Sequence, residues 1–307
     1  MNNIGLKIFG VFTSIGMLIV LIQGSLVTKT GSGEGCGATW PLCFGEVIPD
    51  SPALETIIEY SHRLWSGLMG LFVIILAVWA WKKLPHLRET KFMALMAVLF
   101  IVFQGMMGAG AVIWGNSSLV LALHFGISTI SFATVVLLTI LAFENKKNAP
   151  APTVSKGYRN YLLFVIIYCY AVIYTGAYVK HTDATYACEG FPLCNNQIIP
   201  DISGALGFQI GIHFAHRVFA TILFIFIAIL MIWTIRRFAS SASLKTASIL
   251  VFALTIVQIA AGISVVYVTA YLASALTHAI TVTFLFTTLG YMVMIATRKP
   301  AVGRHYK

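Results

Sequence analysis

Residues 119–143 have the sequence LVLALHFGISTISFATVVLLTILAF, an apolar stretch without Lys, Arg, Asp or Glu. A helix of about 20 apolar residues crosses the roughly 30 Å hydrocarbon core of a bilayer. Backbone groups in lipid must be satisfied within the segment, and the chain lacks the alternating pattern of membrane β-strands. We therefore predict a transmembrane helix here and at seven similar stretches, near 6–27, 60–81, 92–113, 159–179, 213–235, 246–267 and 272–296.

The composition excludes a water-soluble fold. Hydrophobic residues make up 59% of the 307 residues and charged residues 10%, with a mean hydropathy of +0.89. A soluble domain carries about 25% charged residues. The net charge of +10 does not indicate a nucleic-acid partner, because most Lys and Arg residues lie in segments that a cytoplasmic N-terminus places inside. We predict a multi-pass cell-membrane protein, solvated by membrane lipid, with both termini cytoplasmic.

An internal repeat divides the chain into two halves. Each half has four spans, and an even number of spans returns the chain to the side where it began. The two halves therefore have the same orientation and are related by an axis along the membrane normal. We predict an all-α integral membrane fold of two pseudo-twofold-related four-helix bundles, residues 1–144 and 159–307, joined by a cytoplasmic linker, residues 145–158. The matches, at offsets of 152 to 154 residues, pair Gly24, Cys36, His62, Arg63, Gln104, Gly108 and His124 with Gly176, Cys188, His216, Arg217, Gln258, Gly262 and His278.

Four repeat-matched histidines are candidate cofactor ligands. Each half places two imidazoles at similar depth, near the outer ends of its second and fourth helices. Facing helices commonly build such sites, and imidazole is a standard axial ligand of haem iron. One alternative is a packing role, and another is a bare copper or zinc site, although no carboxylate or thiol pattern completes its ligand shell. The apolar surroundings favour haem, bound through His62, His124, His216 and His278.

Charged residues beside these histidines distinguish the two halves. Glu59 precedes His62 by one helical turn, and its counterpart in the second half is His213. This asymmetry indicates proton chemistry in the first pocket alone, the alternative being an exposed loop acid. Arg63 and Arg217 directly follow candidate ligands, so they would contact haem propionates or anchor to lipid headgroups.

The cysteines of the outer loops are also matched by the repeat. An oxidising exterior favours disulfides, so we predict that Cys36 pairs with Cys43 and Cys188 with Cys194. For the first pair, thiol–disulfide exchange is the alternative. Cys169 lies within a predicted helix and is interpreted as a packing residue.

Several of these elements together resemble the bacterial haem A synthase family over nearly the whole chain. They are the stretch GSLVTKTGSG at 24–33, Trp40-Pro41-Leu42 between two cysteines, and Glu59-Tyr60-Ser61-His62-Arg63, with His124, His216 and His278. The resemblance implies oxidation of the C8 methyl of haem O to a formyl group, which gives haem A for terminal oxidases.

The resemblance also implies a role for each pocket. His216 and His278 would hold a permanent b-type haem. His62 and His124 would bind the iron of haem O and of the haem A product, with Glu59 near the reacting edge. An electron acceptor and haem O synthase are candidate partners, and docking with haem O synthase is left open by the sequence. Two alternatives remain: a di-haem membrane cytochrome that passes electrons between quinol and a partner, and a haem carrier.

Overall fold

The computed structural model describes residues 3–50, 52–144, 152–267 and 271–298, with Tyr271 described by its backbone alone. The described residues form eight long α-helices and a short 3-10 helix at Ser32–Glu34. Each long helix is apolar and long enough to cross a membrane, which confirms the predicted all-helical fold. The helices are α1 Ile4–Lys29, α2 Leu54–Lys83, α3 Arg88–Ile113, α4 Ser118–Glu144, α5 Lys156–His181, α6 Gly207–Arg237, α7 Ala242–Tyr267 and α8 Tyr271–Ala296.

The second helix of each half begins earlier than its hydropathy predicts. Helix α2 begins at Leu54 rather than near residue 60, and α6 begins at Gly207 rather than near residue 213. The added first turns of α2 contain polar residues that hydropathy excludes from a span. They remain helical and dock on the preceding loop, where the Thr56 hydroxyl donates to the Gly35 carbonyl at 2.7 Å. The loop that precedes α2 is therefore fixed against the helix that carries His62.

Each half packs around its own apolar core. In the first half α1 contacts α2 and α4, and α3 contacts α2 and α4; the helices α5 to α8 make the corresponding contacts in the second half. One core cluster lies mainly on α1, α2 and α4, and the other mainly on α5 to α8. The halves meet where α4 contacts α5 and α8, and where α1 contacts α8. This closed arrangement agrees with two bundles, while their pseudo-twofold relation stays a prediction.

The predicted linker, residues 145–158, is only partly described. Helix α4 ends at Glu144, and residues 145–151 lie outside the described chain, as do residues 268–270 between α7 and α8. Helix α5 begins at Lys156, three residues inside the predicted linker. Ser155 caps this helix, because its side chain accepts a hydrogen bond from the Tyr158 backbone N–H. The division into two domains stays a prediction.

An ion-pair network joins the halves at the end of the bundle opposite the cysteine-containing loops. Arg298, just beyond α8, donates to Glu89 of α3 at 3.0 Å and to Glu144 of α4 at 2.5 Å. Tyr291 of α8 also donates to Glu144, at 3.1 Å. The two carboxylates belong to the first half and their donors to the second, so the network holds the halves together at this end.

Candidate haem-binding sites

The four histidines lie six to nine residues, or about two turns, from the cysteine-loop ends of their helices. His62 is on α2, His124 on α4, His216 on α6 and His278 on α8. His124 interacts electrostatically with His62, and His216 interacts with His278. The structure thus brings together the two pairs that the repeat predicts, one in each half.

A glycine on a neighbouring helix packs against each histidine ring. A Cβ atom added at Gly24 would lie 3.1 Å from Cε1 of His62, and one added at Gly176 would lie 2.8 Å from the same atom of His216. Gly108 and Gly262 stand in the same relation to His124 and His278, at 3.3 and 3.0 Å. A larger residue at these positions would push the ring aside. The repeat-matched glycines therefore set the positions of the imidazoles.

Both histidines of the second half are anchored through Nδ1. Thr175 gives its hydroxyl proton to the Val172 carbonyl, so its oxygen accepts from Nδ1–H of His216 at 2.8 Å. Nδ1–H of His278 donates to the carbonyl oxygen of Gln258 at 3.0 Å. A neutral imidazole with its proton on Nδ1 keeps a lone pair on Nε2. Both rings are thus oriented as metal-binding histidines usually are, with the outer nitrogen free to ligate.

The histidines of the first half lack these anchors. Nδ1 of His62 and Nδ1 of His124 are buried without a hydrogen-bond partner among the described residues. Instead, the side-chain amide Nε2 of Gln104 lies 3.1 Å from Nε2 of His124. Among the described residues, Nε2 of His124 is therefore hydrogen-bonded, whereas Nε2 of its counterpart His278 is not.

A cavity of about 430 Å³ contains the second histidine pair. Its wall is mostly apolar, with contributions from α5 to α8, and both His216 and His278 line it. Positively charged side chains line it as well: Arg217 of α6, Lys180 of α5 and Lys29 of α1. Lys29 belongs to the first half, so the two halves build this cavity jointly. An apolar cavity with two imidazoles and cationic side chains in its wall fits a haem with two propionates.

Glu59 is buried, with 3% of its surface exposed, so the interpretation as an exposed loop acid is wrong. One carboxylate oxygen accepts a hydrogen bond from the Cys36 backbone N–H at 2.9 Å. The other forms an ion pair with Arg63, one turn further along α2. Its counterpart His213 donates from Nδ1 to the Ala184 carbonyl at 3.0 Å. Both residues fasten the outer loop to a ligand-bearing helix, but only Glu59 is an acid.

The repeat-matched arginines hold the cysteine-containing loops. Arg63 donates to the carbonyls of Thr39 and Leu42, at 2.5 and 2.9 Å. Arg217 donates to the carbonyls of Cys188, Gly190 and Leu193, at 2.6 to 3.1 Å. Both guanidinium groups therefore face protein loops rather than lipid headgroups. Propionate contacts by these arginines stay predictions, and only Arg217 lines the cavity described above.

The outer loops are closed by two disulfides. Cys36 is bonded to Cys43, and Cys188 to Cys194, as the repeat-matched positions predict. Cys169 is a free, fully buried thiol on α5, and it lines the second-half cavity. The loops thus cover the ends of α2 and α6 that carry the candidate ligands.

The geometry separates haem from a bare metal ion. Within the described ranges, no three His, Cys, Asp or Glu side chains come together as ligands for a metal ion. A pair of imidazoles leaves a zinc ion short of its usual four ligands, whereas a porphyrin supplies four nitrogens of its own. The arrangement therefore fits haem iron better than copper or zinc.

Some residues at these sites were not predicted from the sequence. Thr175 was missed because the repeat places Gln23 opposite it, so no matched pattern identified it. Lys29 and Lys180 carry no signal of a site in the sequence, and Lys29 reaches the second-half cavity by a contact between halves. Gln104 and Gln258 were recognised as matched positions, but their different contacts depend on side-chain placement that periodicity does not determine.

Comparisons with known proteins give concordant matches over almost the full chain. The family model COX15-CtaA, described as cytochrome oxidase assembly protein, matches residues 7–289. The chain is 63% identical over 298 residues to a protein of Halalkalibacterium halodurans named Heme A synthase, covering 97% of this chain and 99% of that one. Proteins of the same name from Alkalihalophilus pseudofirmus and Shouchella clausii are 59% and 53% identical. They cover 95% and 97% of this chain, and 98% and 99% of their own lengths.

Proposed function

Because the chain belongs to the COX15-CtaA family of cytochrome oxidase assembly proteins, we propose that it oxidises the C8 methyl of haem O to a formyl group. The relatives named Heme A synthase match this chain along nearly their whole length, and this chain is a haem A synthase as well. The conversion of methyl to formyl passes through an alcohol and adds one oxygen atom. With water as the source of that atom, the reaction releases four protons and four electrons. An external electron acceptor must take them, and haem O synthase is the implied supplier of substrate.

The second half is the proposed site of a resident b-type haem. The observation that carries this assignment is the anchoring of both rings: Nδ1 of His216 bonds to Thr175, and Nδ1 of His278 to Gln258. Such outer hydrogen bonds fix the ring and typically strengthen metal binding by 10–100-fold. A bound b-type haem supplies reversible one-electron transfer. The protein's own part is to orient the two imidazoles that would hold the haem within an apolar cavity.

The haem propionates are assigned to the cationic side chains of that cavity. Lys29, Lys180 and Arg217 line it, and each can pair with a carboxylate. Arg217 also donates to three loop carbonyls, so it would join a propionate to the outer loop. Lys29 crosses from α1 of the first half, and its pairing with a propionate would couple haem binding to the contact between halves.

The first half is the proposed substrate pocket. His62 and His124 bind the iron of haem O and release haem A, and neither ring carries an Nδ1 anchor among the described residues. Weaker fixation suits a ligand that must leave after each turnover. Glu59, one turn from His62, is the acid of this pocket and the proposed acceptor or relay of a proton as the methyl C–H bond is broken. Arg63 and the Cys36 N–H hold its carboxylate in place.

The proposed location is the cell membrane, with both termini cytoplasmic. The end of the bundle that carries the disulfide loops would then face the oxidising exterior, where disulfides persist. The end with the Arg298 network would face the cytoplasm, in agreement with the basic residues near it. Both histidine pairs would lie near the outer surface of the membrane.

Pigment extraction tests the proposed reaction. The protein is expressed with a source of haem O, and the extracted haems are separated by chromatography and identified by mass spectrometry. Haem A and the intermediate alcohol should appear with the wild-type protein and disappear with His62→Ala. Extraction of haem B and unchanged haem O alone would indicate a membrane cytochrome or a haem carrier instead.

A further inference from the structure

The side chain of Gln104 bonds directly to the nitrogen with which His124 would ligate iron. Its amide Nε2 lies 3.1 Å from Nε2 of His124. An amide nitrogen only donates, so Nε2 of a neutral His124 must accept, and this uses its one lone pair. Nε2 is the ring nitrogen farther from the backbone, and therefore the one that reaches a porphyrin iron. The hydrogen bond to Gln104 and a bond to iron exclude each other.

The repeat provides an internal comparison for this contact. Gln258 occupies the matched position in the second half, beside His278. There the backbone carbonyl of Gln258 accepts from Nδ1–H of His278 at 3.0 Å, and the side-chain oxygen has no partner among the described residues. The same residue type thus orients the ligand in one half and occupies the ligating nitrogen in the other.

The surroundings of His124 add to this difference. Its Nδ1 is buried without a partner in the described part of the chain, so the ring has no second anchor that would hold Nε2 towards iron. Gly108 lies beside Cε1, where an added Cβ would be 3.3 Å away, so the neighbouring helix is close to the ring on that side. Gln104 is the group that must move when iron binds.

We propose that the Gln104 amide competes with iron for Nε2 of His124, to which it is hydrogen-bonded until the iron of haem O displaces it. This rests on the proposed assignment of the first pocket to substrate. When haem A leaves, the Gln104 amide again donates a hydrogen bond to Nε2 of His124. Because this bond forms only without iron, it lowers the net affinity of the pocket for haem A. Gln104 is thus a positioning residue that makes the first pocket an exchangeable site, whereas the second pocket retains its haem.

The competition predicts a gain in affinity when the amide is removed. Gln104→Leu keeps the bulk of the side chain but cannot hydrogen-bond, so Nε2 of His124 is left free for iron. Haem O titrated into the purified protein, which retains its b-type haem, should bind the first pocket about 2- to 10-fold more tightly, the range that one hydrogen bond gives. The absorbance spectrum of the added haem should also shift towards the six-coordinate, low-spin form.

Two controls separate competition from a change in pocket shape. Gln258→Leu, the matched variant in the other half, should leave the affinity of the first pocket for added haem O unchanged, because Gln258 bonds to His278 and not to His124. In a His124→Ala background, Gln104→Leu should no longer raise the affinity, since there is no nitrogen to compete for.

The outcomes distinguish this proposal from the proposed function. Equal or weaker binding in Gln104→Leu, or a gain that persists without His124, would contradict the competition while leaving the substrate assignment intact. Absence of any haem O uptake that depends on His62 and His124 would contradict both. Retention of the b-type haem by the Gln104 and His124 variants shows that these proteins are folded.

Discussion

The carboxylate of Glu59 accepts a hydrogen bond from the backbone N–H of Cys36 at 2.9 Å, which ties a proposed catalytic acid to a disulfide-closed loop. Arg63 completes the arrangement by pairing with Glu59 and donating to the carbonyls of Thr39 and Leu42. The acid of the first pocket is therefore also a structural tie, and a test of its chemistry must separate the two roles.

Replacement of Glu59 by Gln should suppress haem A formation by about 10²- to 10⁴-fold, the usual contribution of a general acid–base residue. Gln keeps the shape and an oxygen that can accept from the Cys36 N–H, but it cannot take up a proton. Haem O binding in the first pocket and the amount of b-type haem should survive. The measurement is the ratio of haem A to haem O in extracts from cells with equal haem O supply.

His213→Gln is the matched control for Glu59→Gln. Gln can also donate to the Ala184 carbonyl, so the second loop stays attached and haem A formation should remain near the wild-type amount. Normal haem A from Glu59→Gln would show that this carboxylate only holds the loop. Loss of haem A together with loss of haem O binding would likewise assign it a structural rather than a catalytic role.

The thiols give a chemical test of the loops. Under denaturing alkylation without reductant, the protein should expose one reactive thiol, Cys169, because the other four cysteines are bonded in pairs. Reduction before alkylation should raise the number to five. Five reactive thiols in unreduced protein, isolated with alkylating agent present from lysis, would overturn the disulfide assignment.

Gly176→Ala should lower the amount of b-type haem without lowering the stability of the helix. The new Cβ would lie 2.8 Å from Cε1 of His216, which must then turn away from Thr175. Alanine in a helix is otherwise favoured over glycine by about 1 kcal/mol. The haem-to-protein ratio of the purified variant is the measurement.

Gly157→Ala is the control on the same helix, because its added Cβ meets only an ordinary contact, 3.9 Å from Trp233. This variant should bind haem as the wild type does. Full haem content in Gly176→Ala would mean that His216 accommodates the methyl group and that close packing does not set its position.

The repeat explains why the histidine pairs could be predicted from the sequence. One offset relates His62 and His124 to His216 and His278, and an even number of spans per half places all four near the same membrane surface. The matched loop cysteines follow from the same periodicity. These features depend only on the spacing and polarity of residues along the chain, and both can be read from the sequence.

The remaining features depend on contacts between elements. Helix α2 extends back to Leu54 because polar side chains such as Thr56 bond to the loop, which a hydropathy average cannot register. Arg63 pairs with loop carbonyls, although its position beside His62 equally suited a haem propionate. Lys29 lines a cavity of the other half, and this follows only from how the two bundles meet.

In the proposed assignment, the second half holds the resident b-type haem and the first half binds the substrate. This assignment is tested most directly by the b-type haem content of four single variants. Protein purified without a haem O source is measured by the absorbance of its reduced haem, per mole of protein. Because the second pair is anchored and the first is not, His216→Ala and His278→Ala should lose most of this haem, while His62→Ala and His124→Ala should keep it. Equal loss from both pairs, or retention by the His216 and His278 variants, would contradict the assignment of the resident haem to the second half.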